Sequence, residues 1–330
     1  MPYSCSIYGI GVLANREIPG VPSSPILSAD LQITFGSVPE WVRQKDLADV
    51  EPFFASDYTD GSGQPLLRFF AYPNYFRFLY SDQTEFVVSS EGTEVWGIWP
   101  ECLTVEDAAT YLLGPVMGFV LLLRGVVCLH ASAIVVGNQA IALLGPAGSG
   151  KSTTAAAFAT RGYSILAEDV VTLDDRGDHF LVRPAYPCIR LWPASVVALF
   201  GTDDCLPKLT PNWNKRYLDL TQNFPREPLS LAAIYHLDSR RHSSEAPYVN
   251  SLDKSDGLMS LIANTYATKL MNKEMRAREF EVLTRVSRRV PLRRVTPHTD
   301  TSRIPDLCDR IIEDFVSLYP SHQEDTALHV

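Results

Sequence analysis

The residues most able to do chemistry in this chain lie between His130 and Asp169. Gly145–Ser152 reads Gly-Pro-Ala-Gly-Ser-Gly-Lys-Ser and satisfies G-x-x-x-x-G-K-[ST] in full. Glycines let a backbone bend until successive N–H groups point inward at phosphate oxygens. A following helix adds the positive end of its dipole. Gly145, Ala147, Gly148, Ser149 and Gly150 are therefore the expected cradle, continued by Lys151, Ser152 and Thr153. Lys151 is expected to reach the β- and γ-phosphates of ATP, and the Ser152 hydroxyl to ligate Mg²⁺.

Glu168 and Asp169 end a short apolar run, Ser164–Ala167. A strand that follows such a loop and helix runs parallel to the first strand, and its C-terminal end reaches the ligand edge of the sheet. Neighbouring strand residues face opposite ways, so one carboxylate can hold Mg²⁺ while the other meets an acceptor hydroxyl. Asp169 is expected to join Ser152 at the metal, leaving Glu168 as a candidate base, although which of the pair is the base stays open. His130 enters by register. If Gly137-Asn138 form a tight hairpin turn, Val136 faces Gln139, and counting back sets His130 opposite Gly145. There it can orient an acid or steer phosphoryl charge.

The elements around these residues are legible in outline. Ala140–Leu144 reads as a buried strand before the loop, and Thr153–Ala159 as a helix closed by Gly162. Further helices are expected at Leu258–Tyr266, Lys273–Val286 and Ile304–Leu318, the last amphipathic. Before residue 125 the chain is β-rich, with alternation in Leu31–Phe35 and aromatic strands from Tyr75. Thr104 and Asp107 have capping-box spacing and should open a helix through the apolar Tyr111–Leu123. That apolar stretch is shorter than the ~20 residues a bilayer needs, so no membrane span is expected. The expected organisation is a β-rich region with a linking helix over 1–125, a catalytic α/β domain over 126–320, and a disordered tail over 321–330.

With 330 residues, 46% hydrophobic and 20% charged, the composition is that of a globular chain. The net charge of −9 argues against nucleic acid as a partner. Six scattered cysteines form no CxxC or metal spacing, which fits a reducing, cytoplasmic setting. No signal peptide is legible at the N-terminus.

Leu129–Ser132, the Gly145–Ser152 loop and Arg161–Asp169 together resemble the HPr kinase/phosphorylase catalytic domain, through about residues 128–173. The resemblance implies a P-loop kinase core related to phosphoenolpyruvate carboxykinase, ATP with Mg²⁺, and phosphorylation of a protein serine. It implies functional positions at His130, Lys151, Ser152, Glu168 and Asp169, with Glu168 replacing the family's usual Asp. It also implies a homo-oligomer, since HPr kinases form hexamers. The family's downstream glycine-rich signature is missing. Tyr186–Pro193 and Trp213–Leu220 instead look like HPr-kinase-like proteins of lasso peptide pathways. That implies a serine or threonine of a precursor peptide as acceptor, in place of HPr.

Arg190, Lys215 and Arg216 are further candidates for phosphate or substrate contacts, because Arg forks match phosphate and carboxylate. Arg285, Arg288, Arg289, Arg293 and Arg294 form a basic run that could steer a peptide. Two other readings compete with a peptide kinase. One is a kinase for a small hydroxylated molecule such as free serine. The other is a binding or assembly module that hydrolyses ATP slowly.

Overall fold

The structure, a computed structural model, describes residues 2–43 and 50–319; the tail expected at 321–330 lies outside the described residues. The chain is mixed α/β and divides into two units. One comprises Met1–Val126, Thr210–Trp213 and Ala267–Arg276; the other comprises Val127–Leu209, Asn214–Tyr266 and Ala277–Val330.

The first unit carries β1 (Tyr3–Ile7), β2 (Ile10–Ala14), β3 (Leu31–Phe35), β4 (Phe54–Ala55), β5 (Leu67–Ala71), β6 (Tyr75–Tyr80), β7 (Glu85–Ser89) and β8 (Glu94–Ile98). They form one sheet in the order β1-β2-β3-β8-β7-β6-β5-β4. The alternation read in Leu31–Phe35 sends Leu31, Ile33 and Phe35 inward. The capping box forms as its spacing predicts. Thr104 N–H donates to Asp107 Oδ2 at 2.9 Å, and Asp107 N–H donates back to Thr104 Oγ1 at 3.4 Å.

The helix begun there runs without a break from Val105 to Leu123. A wide turn at Leu112–Val116 accommodates Pro115, whose missing N–H would interrupt a regular ladder. At 19 residues this helix is long and apolar enough to cross a membrane, which corrects the reading of a shorter stretch. In this fold 78% of its most apolar window is buried. Phe119 packs edge-on against Phe69, Phe76 and Phe78, with ring centroids 5.1, 4.8 and 5.4 Å away.

The second unit holds β9 (Val127–Val136), β10 (Gln139–Leu144), β11 (Ile165–Ala167), β12 (Val170–Asp175), β13 (Phe180–Val182), β14 (Cys188–Leu191), β15 (Arg216–Asp219), β16 (Leu229–Leu237), β17 (Tyr248–Ser251) and β18 (Leu292–Thr296). The hairpin forms in the predicted register, from Gln139 opposite Val136 to Leu144 opposite Ala131. On its other edge β10 pairs in parallel with β16, which pairs in parallel with β18.

β11 runs in the direction of β10 but does not pair with it, because β9 lies between them and pairs antiparallel with both. Nor does the strand stop at the acid pair. It breaks there and resumes as β12 on the same partner, with Val170 opposite His130.

The helix Lys151–Thr160 follows the glycine loop. It buries Ala155, Ala156 and Phe158 in a core with Ile141, Leu143, Tyr235 and Leu237. The final helix, Ile304–Leu318, adds Leu307, Cys308, Ile311 and Phe315 to that core, the face its periodicity predicts. The helix expected over Leu258–Tyr266 instead spans Lys254–Ala263, because the Asp253 side chain accepts from the N–H groups of Ser255 and Asp256 and starts it earlier.

Candidate active site

The glycine loop leaves β10 at the C-terminal edge of the parallel β10–β16–β18 core. Gly145 has φ +149°, and a Cβ there would sit 2.8 Å from the Leu237 carbonyl oxygen and 2.9 Å from Ser149 Oγ. Gly148 and Gly150 also have positive φ, at +80° and +105°. Only glycine takes all three conformations without strain. Gly150 is the N-cap of the following helix and no side chain caps it. Ser149 Oγ is buried and has no hydrogen-bond partner among the described residues. A curled backbone, an uncapped helix start and an unpartnered buried hydroxyl fit a phosphate chain.

Lys151, Ser152 and Thr153 occupy the first turn of that helix. Lys151 is buried and its Nζ donates to the carbonyls of Gly145 (2.7 Å) and Pro146 (3.2 Å), so the side chain folds back along the loop. Burial lowers its pKa, opposed by Asp169 and Glu168. Ser152 Oγ donates to Glu168 Oε1 at 2.7 Å. Thr153 Oγ1 pairs with Ser195 Oγ at 2.8 Å.

Glu168 and Asp169 sit at the break between β11 and β12. Asp169 has φ +69°, a left-handed conformation that Asp tolerates better than most residues. That corner turns the two carboxylates to different partners. Glu168 meets Ser152, while Asp169 meets Arg190 (2.9 Å), His130 Nε2 (3.4 Å) and the Tyr266 hydroxyl (3.5 Å). The sequence expectation grouped Ser152 with Asp169 at one cation; the structure couples Ser152 to Glu168 instead.

Electrostatics separate the pair further. Burial raises the Glu168 carboxyl above its ordinary value, only partly offset by Arg190, and the Asp169 charge adds to the rise. Burial also works against ionised Asp169, but Arg190, His130, Lys215 and Lys151 together hold that carboxyl below its ordinary value. Burial lowers the His130 imidazole, opposed by Asp169. At neutral pH His130 is therefore mainly neutral and Asp169 ionised.

Arg190 reaches both carboxylates, with Nη2 2.9 Å from Asp169 Oδ2 and Nε 3.7 Å from Glu168 Oε2. It lies on β14, opposite Tyr217 of β15. Lys215 precedes β15 and stands 5.0 Å from the centroid of the Trp192 ring. Burial lowers its pKa, as does Arg190, against the pull of the two acids. Arg216 does not join the cluster: its Nε donates to the Asp203 carbonyl at 2.7 Å. Three arginines of the basic run are likewise engaged elsewhere, Arg285 on Asp175, Arg293 on Asp314 and Arg294 on Asp256.

Among the described residues no group of three or more His, Cys, Asp or Glu side chains gathers around one point. A Mg²⁺ site shared with phosphates needs only one or two carboxylates. Ser152 and Glu168 supply a hydroxyl and a carboxylate, and Glu168 Oε2 is buried with no hydrogen-bond partner among the described residues. These residues fit a hard cation beside a phosphate chain.

Sequence reasoning missed Tyr266, Ser195, Arg240 and the Asn264 carbonyl, which accepts the His130 N–H at 2.8 Å. Arg240 overhangs the loop, its guanidinium 3.1 Å from where a Gly150 Cβ would be. The apolar run Leu231–Leu237 was the available signal for Arg240. A second strand parallel to β10 brings the residues after it to the loop edge. No motif marks Tyr266 or Ser195.

No family model matches the chain, and no curated protein matches it. Among solved structures, the Hpr(Ser) kinase/phosphatase from Coxiella burnetii is similar at 10% sequence identity and a TM-score of 0.35, over 60% of this chain and 95% of that one.

Proposed function

We propose that this chain is an ATP-dependent kinase that transfers the γ-phosphoryl group to a hydroxyl, with a serine or threonine of a peptide as acceptor. The observation that carries the reading is the divided acid pair at the mouth of the glycine loop. Glu168 is bonded to the Ser152 hydroxyl, and Asp169 is ionised beside His130 and Arg190.

Each residue has a task. The loop backbone and Lys151 hold the phosphates. Ser152 and Glu168 are the candidate ligands of a Mg²⁺ ion, which when bound neutralises phosphate charge. Asp169 accepts the proton of the acceptor hydroxyl as its oxygen bonds to phosphorus and the donor's bridging bond breaks. Arg190 keeps Asp169 ionised and fixed, and neutral His130 orients it. The resemblance through residues 128–173 supports a serine acceptor, and a lasso-type precursor peptide is the specific form it suggests.

The test uses radiolabelled ATP with the full chain and Mg²⁺. Three reactions run side by side, with a serine-containing precursor peptide, with free serine, and with neither. Label in the peptide supports the reading. Label in free serine alone makes the enzyme a small-molecule kinase. Phosphate release without label in either acceptor rejects transfer in favour of slow hydrolysis.

A further inference from the structure

We propose that the cleft at the start of β18, lined by Lys254, Arg288 and Arg289, binds an acidic, extended segment of the peptide acceptor, remote from the serine that is phosphorylated. This rests on the peptide-kinase reading above and adds a docking site to it. The cleft belongs wholly to the second unit and has a volume of about 280 Å³. That volume admits one or two side chains of a longer ligand. No residue of the glycine loop lines it, nor do Glu168, Asp169, His130 or Arg190. β16 lies between β18 and β10. The cleft sits at the N-terminal end of β18, whereas the glycine loop leaves the C-terminal end of β10.

The charge of the cleft is one-sided. Lys254, Arg288 and Arg289 are exposed, Arg293 joins them in the lining, and no Asp or Glu does. The chain as a whole carries −9, so a wall of cations alone runs against its average. Arg293 is held by Asp314. Lys254, Arg288 and Arg289 have no ion pair among the described residues. Asp253, next to Lys254, spends its carboxylate on the N–H groups of Ser255 and Asp256, and Asp256 pairs with Arg294. Arg288 and Arg289 close the helix Lys273–Arg289, where cations suit the dipole. Lys254 has no such reason. It opens the helix Lys254–Ala263, the end at which the dipole disfavours a cation. An anion brought from outside accounts for its place beside two unpaired arginines.

The rest of the lining selects a peptide over an inorganic anion. Val290 and Leu292 are buried, while Leu252 and Pro291 are half-buried and leave apolar surface among the cations. A leucine flanked by carboxylates meets both parts of that wall. β17 is the last strand of its sheet, and its Asn250 and Ser251 are exposed immediately before Leu252. An edge strand can take an extended chain into its ladder, which leads such a segment into the cleft.

Binding is read first, apart from catalysis, by fluorescence anisotropy of two labelled peptides on the full chain. One is Asp-Glu-Leu-Asp-Glu and the other its uncharged counterpart, Asn-Gln-Leu-Asn-Gln. The acidic peptide is expected to bind about tenfold or more tightly, with the preference shrinking as salt rises. Lys254→Gln, and Arg288→Gln combined with Arg289→Gln, should each cut that preference by about threefold or more. The two variants lie on separate helices, which guards against one failing to fold. Equal binding of the two peptides by the parent overturns the proposal, as does an undiminished preference in both folded variants. Transfer is then measured to a serine peptide joined to either tail through about eight glycine and alanine residues, a reach of about 25 Å. The acidic tail should lower KM about tenfold in the parent but not in the variants, with kcat unchanged. Label in the peptide with one KM for both tails overturns the docking site and leaves the kinase reading standing. Tighter binding of the acidic tail without label in either peptide rejects the peptide-kinase reading and keeps the cleft as a site for acidic segments.

Discussion

The Ser152 hydroxyl donates to Glu168 Oε1 across 2.7 Å, tying the first turn of the loop helix to the strand break that carries the acids. The adjacent Asp169 takes no part in that bond and belongs to Arg190 and His130. One step along the backbone thus separates a carboxylate bonded to the loop helix from one held by Arg190 and His130.

The two acids are expected to fail differently when neutralised. Asp169→Asn removes the proton acceptor and should slow transfer by ~10²–10⁴-fold with ATP affinity largely kept. Glu168→Gln should raise the Mg²⁺ concentration needed for half-maximal rate, with a smaller effect at saturating Mg²⁺. Single-turnover transfer measured across a Mg²⁺ series distinguishes them. Identical Mg²⁺ dependence and identical rate loss in both variants reject the division.

Their effects on stability should carry opposite signs. The Glu168 carboxyl is raised on folding, so the stability from its proton is complete below its ordinary value of 4.5 and lost as pH rises through the folded value. At neutral pH Glu168→Gln escapes that loss and should be more stable than the parent. Asp169 is lowered, so its contribution is present above 3.8 and lost as pH falls through the folded value. Asp169→Asn should be less stable than the parent at neutral pH, the difference closing in acid. Urea unfolding of all three proteins at neutral and acid pH measures both signs.

Arg190→Lys should impair transfer although the charge is kept. One ammonium cannot reproduce a guanidinium whose Nη2 and Nε face separate carboxylates. Weaker support for ionised Asp169 lets its carboxyl rise, so the acid limb of the kcat/KM profile should move to higher pH. A slower enzyme with an unmoved limb would show that Arg190 acts on something other than Asp169.

His130→Ala should leave a folded protein with slower turnover. The ring is 3.4 Å from Asp169, while its backbone N–H is secured by Asn264 whatever the side chain. Thermal unfolding and turnover per folded molecule decide the matter. Loss of folding with specific activity retained assigns the ring a purely structural role.

How much of this could be read from sequence followed the range of the interactions. The hairpin through Gly137-Asn138 was legible because its register is fixed by a local turn, and His130 was located by counting from it. The glycine loop was legible because its backbone conformations demand glycine at fixed spacing. The partners of Glu168 and Asp169 were not, since alternation along a strand cannot foresee a left-handed corner at Asp169. Arg216 looked as able as Arg190 to bind phosphate. Only the pairing of β14 with β15, and the Asp203 carbonyl that holds Arg216, separate the two. Tyr266 reaches Asp169 from 97 positions away, a closeness that no local pattern records.

β9 pairs on one edge with β10, from which the glycine loop springs, and on the other with β11 and β12, which bracket the acids. Loop and acids are therefore mounted on a single beam. Any flexing of that beam carries both together and leaves the gap between them nearly unchanged. Whatever enters the gap therefore meets loop and acid corner at a spacing set by one strand.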